Sequence, residues 1–308
     1  MYPYPRQIAP LIIAVNLPED SASGPDCGQL IFIGSPWLCP VASVAAICKL
    51  PIHMNQLHEN LSTFLQPYLS TNHHNHERPL VILTWAQSLD AKISAGRGKQ
   101  TVLSCLETKY MTHLIRRKTD AILIGAETAV TDNPSLNGIK LPSIKLMVAR
   151  FPIDGLDGEW VAAEPHEQPR PVILDPHCRA HLPKLLHLVS QNKAKSPWIL
   201  CREGIEKSDE RHIPLKLHHG KFSWADILSN LSVRGIKSVM VEGGARVIGD
   251  VLSERLADVI IITVAPVFLG HDGVGISAHL QEPDWLHDVR YLSVGNDIVI
   301  AGRVRKNQ

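Results

Sequence analysis

The sequence lacks a bulk charge of either sign. Its 31 basic and 30 acidic side chains leave a net charge of +1, so no broad field recruits nucleic acid or a membrane surface, and any anionic ligand has to be held locally. It also lacks an apolar run near the roughly 20 residues that a membrane helix needs; the longest, around Val259–Leu269, is interrupted by Pro266. The opening stretch Ala9–Leu17, behind Arg6, imitates a secretory signal, but its apolar core is short for one. Six cysteines (Cys27, Cys39, Cys48, Cys105, Cys178, Cys201) are scattered without a C-x-x-C pair. That usage fits reduced thiols better than a disulfide framework or a structural zinc site. The expectation is a soluble, cytoplasmic protein with neither a nucleic-acid nor a membrane partner.

Several catalytic signatures are missing as well. No G-x-S-x-G elbow occurs, and Cys105 falls on a predicted helix without a base nearby in sequence. The H-x-E and P-C-x-x-C strings of zinc nucleobase deaminases are absent. G-x-G-x-x-G is absent too. A dinucleotide fold of Rossmann type expects a ribose-binding acid about 20 residues past its glycines, where this chain has the apolar Ile262–Val267.

What is present is enough apolar material, 44% of 308 residues, for a sizeable core. Residues 1–77 are rich in Pro, Ser, Asn and His, with an apolar patch at Val41–Ile47 and a possible helix over Met54–Leu65. They read as an extension of low order. Thr71–Pro79, which carries His73, His74 and His76, reads as a polar linker without the fixed geometry that a metal site requires. From residue 78 to 306 strands alternate with helices, the pattern of an α/β domain. Leu80–Ala86 and Ala121–Gly125 are apolar throughout and fit strands covered on both faces. Further strands are expected at Lys145–Ala149, Pro171–Asp175, Pro197–Cys201, Val259–Ala265 and Asp297–Val304. Ser104 and Glu107 have capping-box spacing ahead of Leu106, Tyr110 and Leu114, so a helix is expected to about Arg117. Ser223–Asp226 repeats the cap ahead of Trp224, Ile227, Leu228 and Leu231, and Gly235 ends that helix. No internal repeat is visible.

The stretch Ser238–Asp250, SVMVEGGARVIGD, is a short strand that feeds a helix through Gly243 and Gly244. Such a junction is either a packing turn or a seat for phosphate, because backbone N–H groups at a helix start favour negative charge. The helical face is Val247, Ile248, Val251, Leu252 and Leu256. Gly249 inside that helix costs about 1 kcal/mol against alanine, which points to a close approach by backbone or ligand. Asp90, Lys92, Thr128, Asp132 and Glu242 each follow an expected strand. Singly each is explained as a cap, a turn acid or a solvated charge; together they line one pocket.

Read in order, TWAQSLDAKIS, ETKYMTHLIRRKTDAILIGAETAVTDNPSLN, PVILD, SVMVEGGARVI and ADVIIITVAPVFLG resemble the riboflavin-biosynthesis reductase family. The resemblance is narrower still to the fungal and archaeal 2,5-diamino-6-ribosylamino-4(3H)-pyrimidinone 5′-phosphate reductases, and spans roughly Arg78–Val304. It implies a dihydrofolate-reductase-like α/β fold with a central, mostly parallel mixed sheet flanked by helices, a homodimer, and NADPH-dependent reduction of the ribosyl side chain to ribityl. It implies Thr128, Asp132, Gly244, Ala245, Arg246, Val247 and Ile248 at the cofactor; that Arg246 reaches the 2′-phosphate is an inference from its charge and not part of the resemblance. Lys92, Asp132 and Glu242 are implied for catalysis, and Ser94, Arg116, Leu136 and Glu242 for substrate, with Lys92 or Arg116 on the 5′-phosphate. Glu127 stands where many relatives have a small residue, and NGIK at Asn137–Lys140 departs from the bacterial T-V-R, so that Lys140 is a candidate stand-in for the arginine. The alternatives are a reductase of the same fold acting on a pterin-like substrate, and a non-catalytic nucleotide-binding paralogue.

Overall fold

The computed structural model describes residues 44–70, 78–140, 161–205 and 209–305. The strand expected at Lys145–Ala149, the histidines of the expected linker and residues 1–43 lie outside them. A nine-stranded sheet forms the centre, built from β1 (Leu80–Gln87), β2 (Ala121–Gly125), β3 (Arg170–Leu174), β4 (Trp198–Arg202), β5 (His212–Leu215), β6 (Ser238–Val241), β7 (Val259–Val264), β8 (Leu286–Val294) and β9 (Asp297–Val304). Its order is β8-β9-β7-β1-β6-β2-β3-β4-β5. From β7 to β5 every pairing is parallel, while β9 and β8 run antiparallel at one edge. The helices are α1 (Val44–Leu69), α2 (Leu106–Arg117), α3 (Ala126–Asp132), α4 (Pro183–Ser190), α5 (Trp224–Val233) and α6 (Ala245–Ser253). This is the expected α/β class, a mostly parallel mixed sheet with helices on its faces.

The period of two in each central strand sorts side chains between those faces. Val81 and Leu83 of β1, Ala121 and Leu123 of β2, and Val239 and Val241 of β6 pack with Trp224, Ile227, Leu228 and Leu231 of α5 and with Ile248 and Val251 of α6. The alternate residues Leu80, Ile82 and Met240 pack on the other face against Tyr110, Met111, Leu114 and Ile115 of α2. Both faces are covered, which is why these strands read as continuous apolar runs. The cap at Ser223 forms as expected, its Oγ accepting from Asp226 N at 3.4 Å, and Gly235 leaves α5 with φ +84°.

Two expectations are corrected. Residues 1–77 do not all stand apart from the domain: α1 lays Leu61, Phe64, Leu65 and Tyr68 into the core beside α2, and these side chains are at most 7% exposed. Their i, i+3, i+4, i+7 spacing is one helical face, and burial of each contributes roughly 1.5–3 kcal/mol. The boundary at residue 78 therefore moves toward the N-terminus to include α1. Ser104 does not cap α2; Cys105 holds the N-cap position and its side chain makes no capping bond. The Asp297 carboxylate reaches from the start of β9 and accepts from Cys105 N at 2.9 Å and from Thr108 Oγ1 at 2.5 Å. An acid distant in sequence thus ties down the start of α2 through Cys105 N and the Thr108 hydroxyl.

Candidate functional site

The C-terminal ends of β1, β6 and β2 lie side by side at the middle of the sheet, where open α/β folds place their ligands. At the end of β6, Glu242 N donates to Leu123 O at 3.1 Å, and the chain then turns through Gly243 (φ +21°) and Gly244 (φ +89°) into α6. A Cβ at Gly243 would stand 2.8 Å from Val247 Cβ, and one at Gly244 would stand 2.6 Å from Thr128 Oγ1. Both φ and space therefore require glycine here. Thr128 comes from α3 and donates to Gly243 O at 3.2 Å. Gly125 stands at the N-cap of α3, where a Cβ would lie a tight 3.0 Å from Val247 Cγ2. The β2–α3 and β6–α6 junctions are thus pressed together.

No side chain caps α6, so its first-turn N–H groups remain for an anion. Of the residues expected at the cofactor, Gly244 and Ala245 are half-buried at this rim and Arg246 is exposed beside them. Ile248 is different. Its side chain is in the core and its N–H bonds Gly244 O at 3.1 Å, so it holds the helix in place and leaves nothing for a ligand. Val247 likewise packs against the core.

Glu242 binds Arg116 of α2 in a bidentate pair, Nε to Oε1 at 2.7 Å and Nη2 to Oε2 at 2.6 Å. With side chains 12% and 16% exposed, the pair is shielded and its geometry is the strong fork arrangement. Arg116 Nη1 also donates to Asn137 O at 3.3 Å, and His113 Nδ1 lies 3.0 Å from the same carbonyl. Burial, and then the charge of Arg116, depress the His113 imidazole to about 3. It is neutral at physiological pH, with Nδ1–H as the donor. Arg116 was expected at the substrate; its charge is compensated by Glu242. His113 was not among the expected site residues, and Asn137 was singled out only as the start of the NGIK stretch. The spacing of His113 and Arg116 on one helix face was the available signal, whereas a backbone acceptor has no signature.

Asp132 closes α3, half-buried, and no described residue bonds its carboxylate; desolvation raises its pKa. The chain leaves it through Asn133 (φ +41°) and Leu136 (φ +47°). The Leu136 side chain is 1% exposed within the core beside Ile122 and Ile124, so only its backbone is available to the expected substrate. Lys92 lies on a short strand, Lys92–Ser94, paired with Val274–Gly275. Its stem packs so closely on Gly273 that a Cβ there would be 2.7 Å away, and among the described residues it has no ion-pair partner. Ser94 Oγ lies 2.7 Å from both Gly96 O and Lys99 O, and so serves its own loop. Asp90 is a clamp as well. It accepts from Ser88 Oγ, Leu269 N and Gly270 N, and these bonds hold its carboxyl down at about 2. The structure therefore joins Thr128 to the glycine turn and Arg116 to Glu242, while no direct bond ties Lys92 or Asp132 to Glu242 among the described residues. The backbone of Lys140 is described, in a short ladder with Val161, but its side chain lies outside the described residues.

Residues 79–300 match the family model described as the RibD C-terminal domain. The chain belongs to that family. It is 40% identical over 261 residues to the 2,5-diamino-6-ribosylamino-4(3H)-pyrimidinone 5′-phosphate reductase of Debaryomyces hansenii, covering 80% of this chain and 96% of that protein. To the Saccharomyces cerevisiae protein of the same name it is 32% identical, covering 82% and 98%. Among solved structures, the Saccharomyces riboflavin biosynthesis reductase Rib7 superposes with a TM-score of 0.63 at 28% identity, covering 80% of this chain and 100% of that one. The RibD C-terminal domain relatives that align over most of both chains are named as reductases, and the chain is an oxidoreductase of this type.

Proposed function

We propose that the protein reduces the ribosyl side chain of 2,5-diamino-6-ribosylamino-4(3H)-pyrimidinone 5′-phosphate to the ribitylamino product, with NADPH as reductant, as a step of riboflavin biosynthesis. The observation that carries the reading is the strand-end cluster itself: a glycine turn that admits no side chain and opens an uncapped helix beside Thr128, flanked by the braced Glu242–Arg116 pair. The cradle fits a phosphate-bearing cofactor on its geometry. Gly244 and Ala245 would offer backbone N–H groups to the pyrophosphate, Thr128 lines the turn, and the exposed Arg246 would take a 2′-phosphate. When bound, NADPH supplies the hydride.

The substrate presents a C1′=N imine once its ribose ring opens. Reduction adds a hydride to C1′ and a proton to nitrogen. Asp132 would hold that proton, a role supported by the desolvation that favours its neutral form. Glu242, oriented by the bidentate contact with Arg116, accepts hydrogen bonds from substrate hydroxyls with its remaining lone pairs. Lys92 supplies the uncompensated cation that the 5′-phosphate needs, a role for which Arg116 is already neutralised. The protein is further proposed to be a cytoplasmic homodimer. Tyr291 on the edge strand β8 and Trp285 just before it, 69% and 76% exposed, are apolar surface that a second copy would cover.

The test is substrate-dependent oxidation of NADPH by the purified protein, followed by absorbance of the reduced nicotinamide. Turnover with this pyrimidine and none with a pterin supports the reading. Binding of NADPH without turnover would leave a nucleotide-binding protein instead.

A further inference from the structure

Asp132 is useful as a proton carrier only if the backbone that carries it is fixed, and the segment behind it is an awkward one. Asn133 and Leu136 both have left-handed φ, 41° and 47°, a region that side-chain-bearing residues seldom adopt without outside support. The support is visible. Leu136 is anchored in the core, Asn137 Nδ2 reaches Lys193 O at 3.4 Å, and Gly138 is held at N and O by Gln168 at 2.7 and 3.1 Å. Asn137 O, the link closest to the site, is held from α2 by His113 at 3.0 Å and by Arg116 at 3.3 Å.

These bonds make a continuous brace. It runs from the end of β6 through the Glu242 carboxylate and the Arg116 guanidinium to the Asn137 carbonyl, and so to the segment that begins at Asp132. Arg116 is shared between two acceptors, and the bond from His113 is the shorter of the two on Asn137. A neutral donor is what this position needs, because a second cation beside Arg116 would compete for Glu242.

Building on the reductase reading, we propose that His113 is a positioning residue, fixing through the Asn137 carbonyl the backbone that presents Asp132 to the substrate. Removing its Nδ1–H should lower the rate of the chemical step and leave cofactor binding alone. An asparagine, whose Nδ2–H can stand in for Nδ1–H, should restore it.

The experiment compares His113→Leu and His113→Asn in the full chain. His113→Leu is expected to lower kcat/KM for the pyrimidine substrate by about tenfold, mostly in kcat, the order expected for one lost hydrogen bond at a positioned group. The Kd for NADPH, from quenching of intrinsic fluorescence, stays within about twofold of wild type, and His113→Asn recovers most of kcat. Amide exchange gives a second readout. Residues 133–137 should exchange faster in His113→Leu, with β6 unchanged, and slow again in His113→Asn. Wild-type kcat/KM in His113→Leu, or equal impairment of both variants, overturns the proposal. If the wild type itself fails to oxidise NADPH with this substrate, the reductase reading falls, and exchange at residues 133–137 still decides whether His113 is the brace.

Discussion

Asp132 and Glu242 are both carboxylates at the edge of one site, and their surroundings set them apart. Glu242 has a guanidinium on both oxygens, whereas Asp132 has no bonded partner among the described residues and is raised by desolvation alone. A charged, desolvated Asp132 is unfavourable for folding at neutral pH. Its raised pKa contributes stability only below the ordinary carboxylate value, and that contribution is lost as pH rises through the folded value. Asp132→Asn should therefore abolish most turnover while leaving the thermal midpoint equal to or above wild type, a divergence that scanning calorimetry beside the NADPH assay would show. Wild-type rates in this variant would remove Asp132 from the site. Glu242→Gln should behave in the opposite way. Arg116 would be left shielded without its counter-charge, at a cost of about 3 kcal/mol, so stability and activity fall together in urea unfolding and in the assay.

His113 has its own pH signature. The folded protein keeps it neutral down to about 3 against an ordinary value of 6.5, so the unfolded chain binds more protons between those limits. The stability tied to this imidazole is present above 6.5 and is lost progressively as pH falls toward 3. Urea midpoints measured between neutral pH and pH 4 should therefore fall less steeply in His113→Asn than in the wild type. Parallel curves would contradict the depressed value.

Among the elements, α6 is the one on which the two halves of the site meet. Its uncapped first turn is the proposed phosphate cradle, and its second is crossed by the segment that follows the strand pairing with Lys92. Ser277 O lies where a Cβ of Gly249 would be, 2.2 Å away, and Ser253 Oγ accepts from His279 N at 2.9 Å. The close approach expected from a helical glycine is thus to backbone. Gly249→Ala gains about 1 kcal/mol in helix propensity, but overpacking of up to about 3 kcal/mol outweighs it. The variant should unfold at lower urea and raise KM for substrate, because the displaced segment begins at Val274–Gly275 beside Lys92. A midpoint above wild type would show that the crossing segment yields freely.

The elements that were legible in the sequence are those whose environment is simple. β1 and β2 are covered on both faces and read as unbroken apolar runs, and α5 carries its cap and stop within its own residues. β8 was not legible. It is an edge strand with a bulge between His287 and Arg290, a left-handed Asp288 (φ +52°) and mostly partial exposure, so no period of two survives. α1 was only half legible, since Pro51 interrupts the sequence of a helix that tertiary packing sustains. The positions of Thr128 and Asp132 just after β2 and of Glu242 just after β6 were legible because the apolar runs of those strands end visibly. The Arg116–Glu242 pair, whose members lie 126 positions apart, was not, because spacing encodes only local partners.

At the scale of the molecule, the site depends on a sheet that α1 helps to cover. A chain beginning at residue 78 would expose the face of Ile82, Ile261 and Val299 that α1 and α2 seal. Leu65→Ala, at a residue 2% exposed, should cost about 2–5 kcal/mol, and the chain lacking α1 should fail to give a cooperative thermal transition. Retention of full stability without α1 would return it to the status of an appendage.

The cluster between β1, β6 and β2 is proposed to deliver hydride from NADPH to the ribosyl carbon of a pyrimidine phosphate. The most direct measurement supplies NADPH deuterated at the transferable position of nicotinamide C4 and locates the label in the product. Deuterium at C1′ of a ribitylamino product is the predicted result. Bound NADPH that is not consumed in the presence of the substrate, or a product without deuterium at C1′, would contradict it.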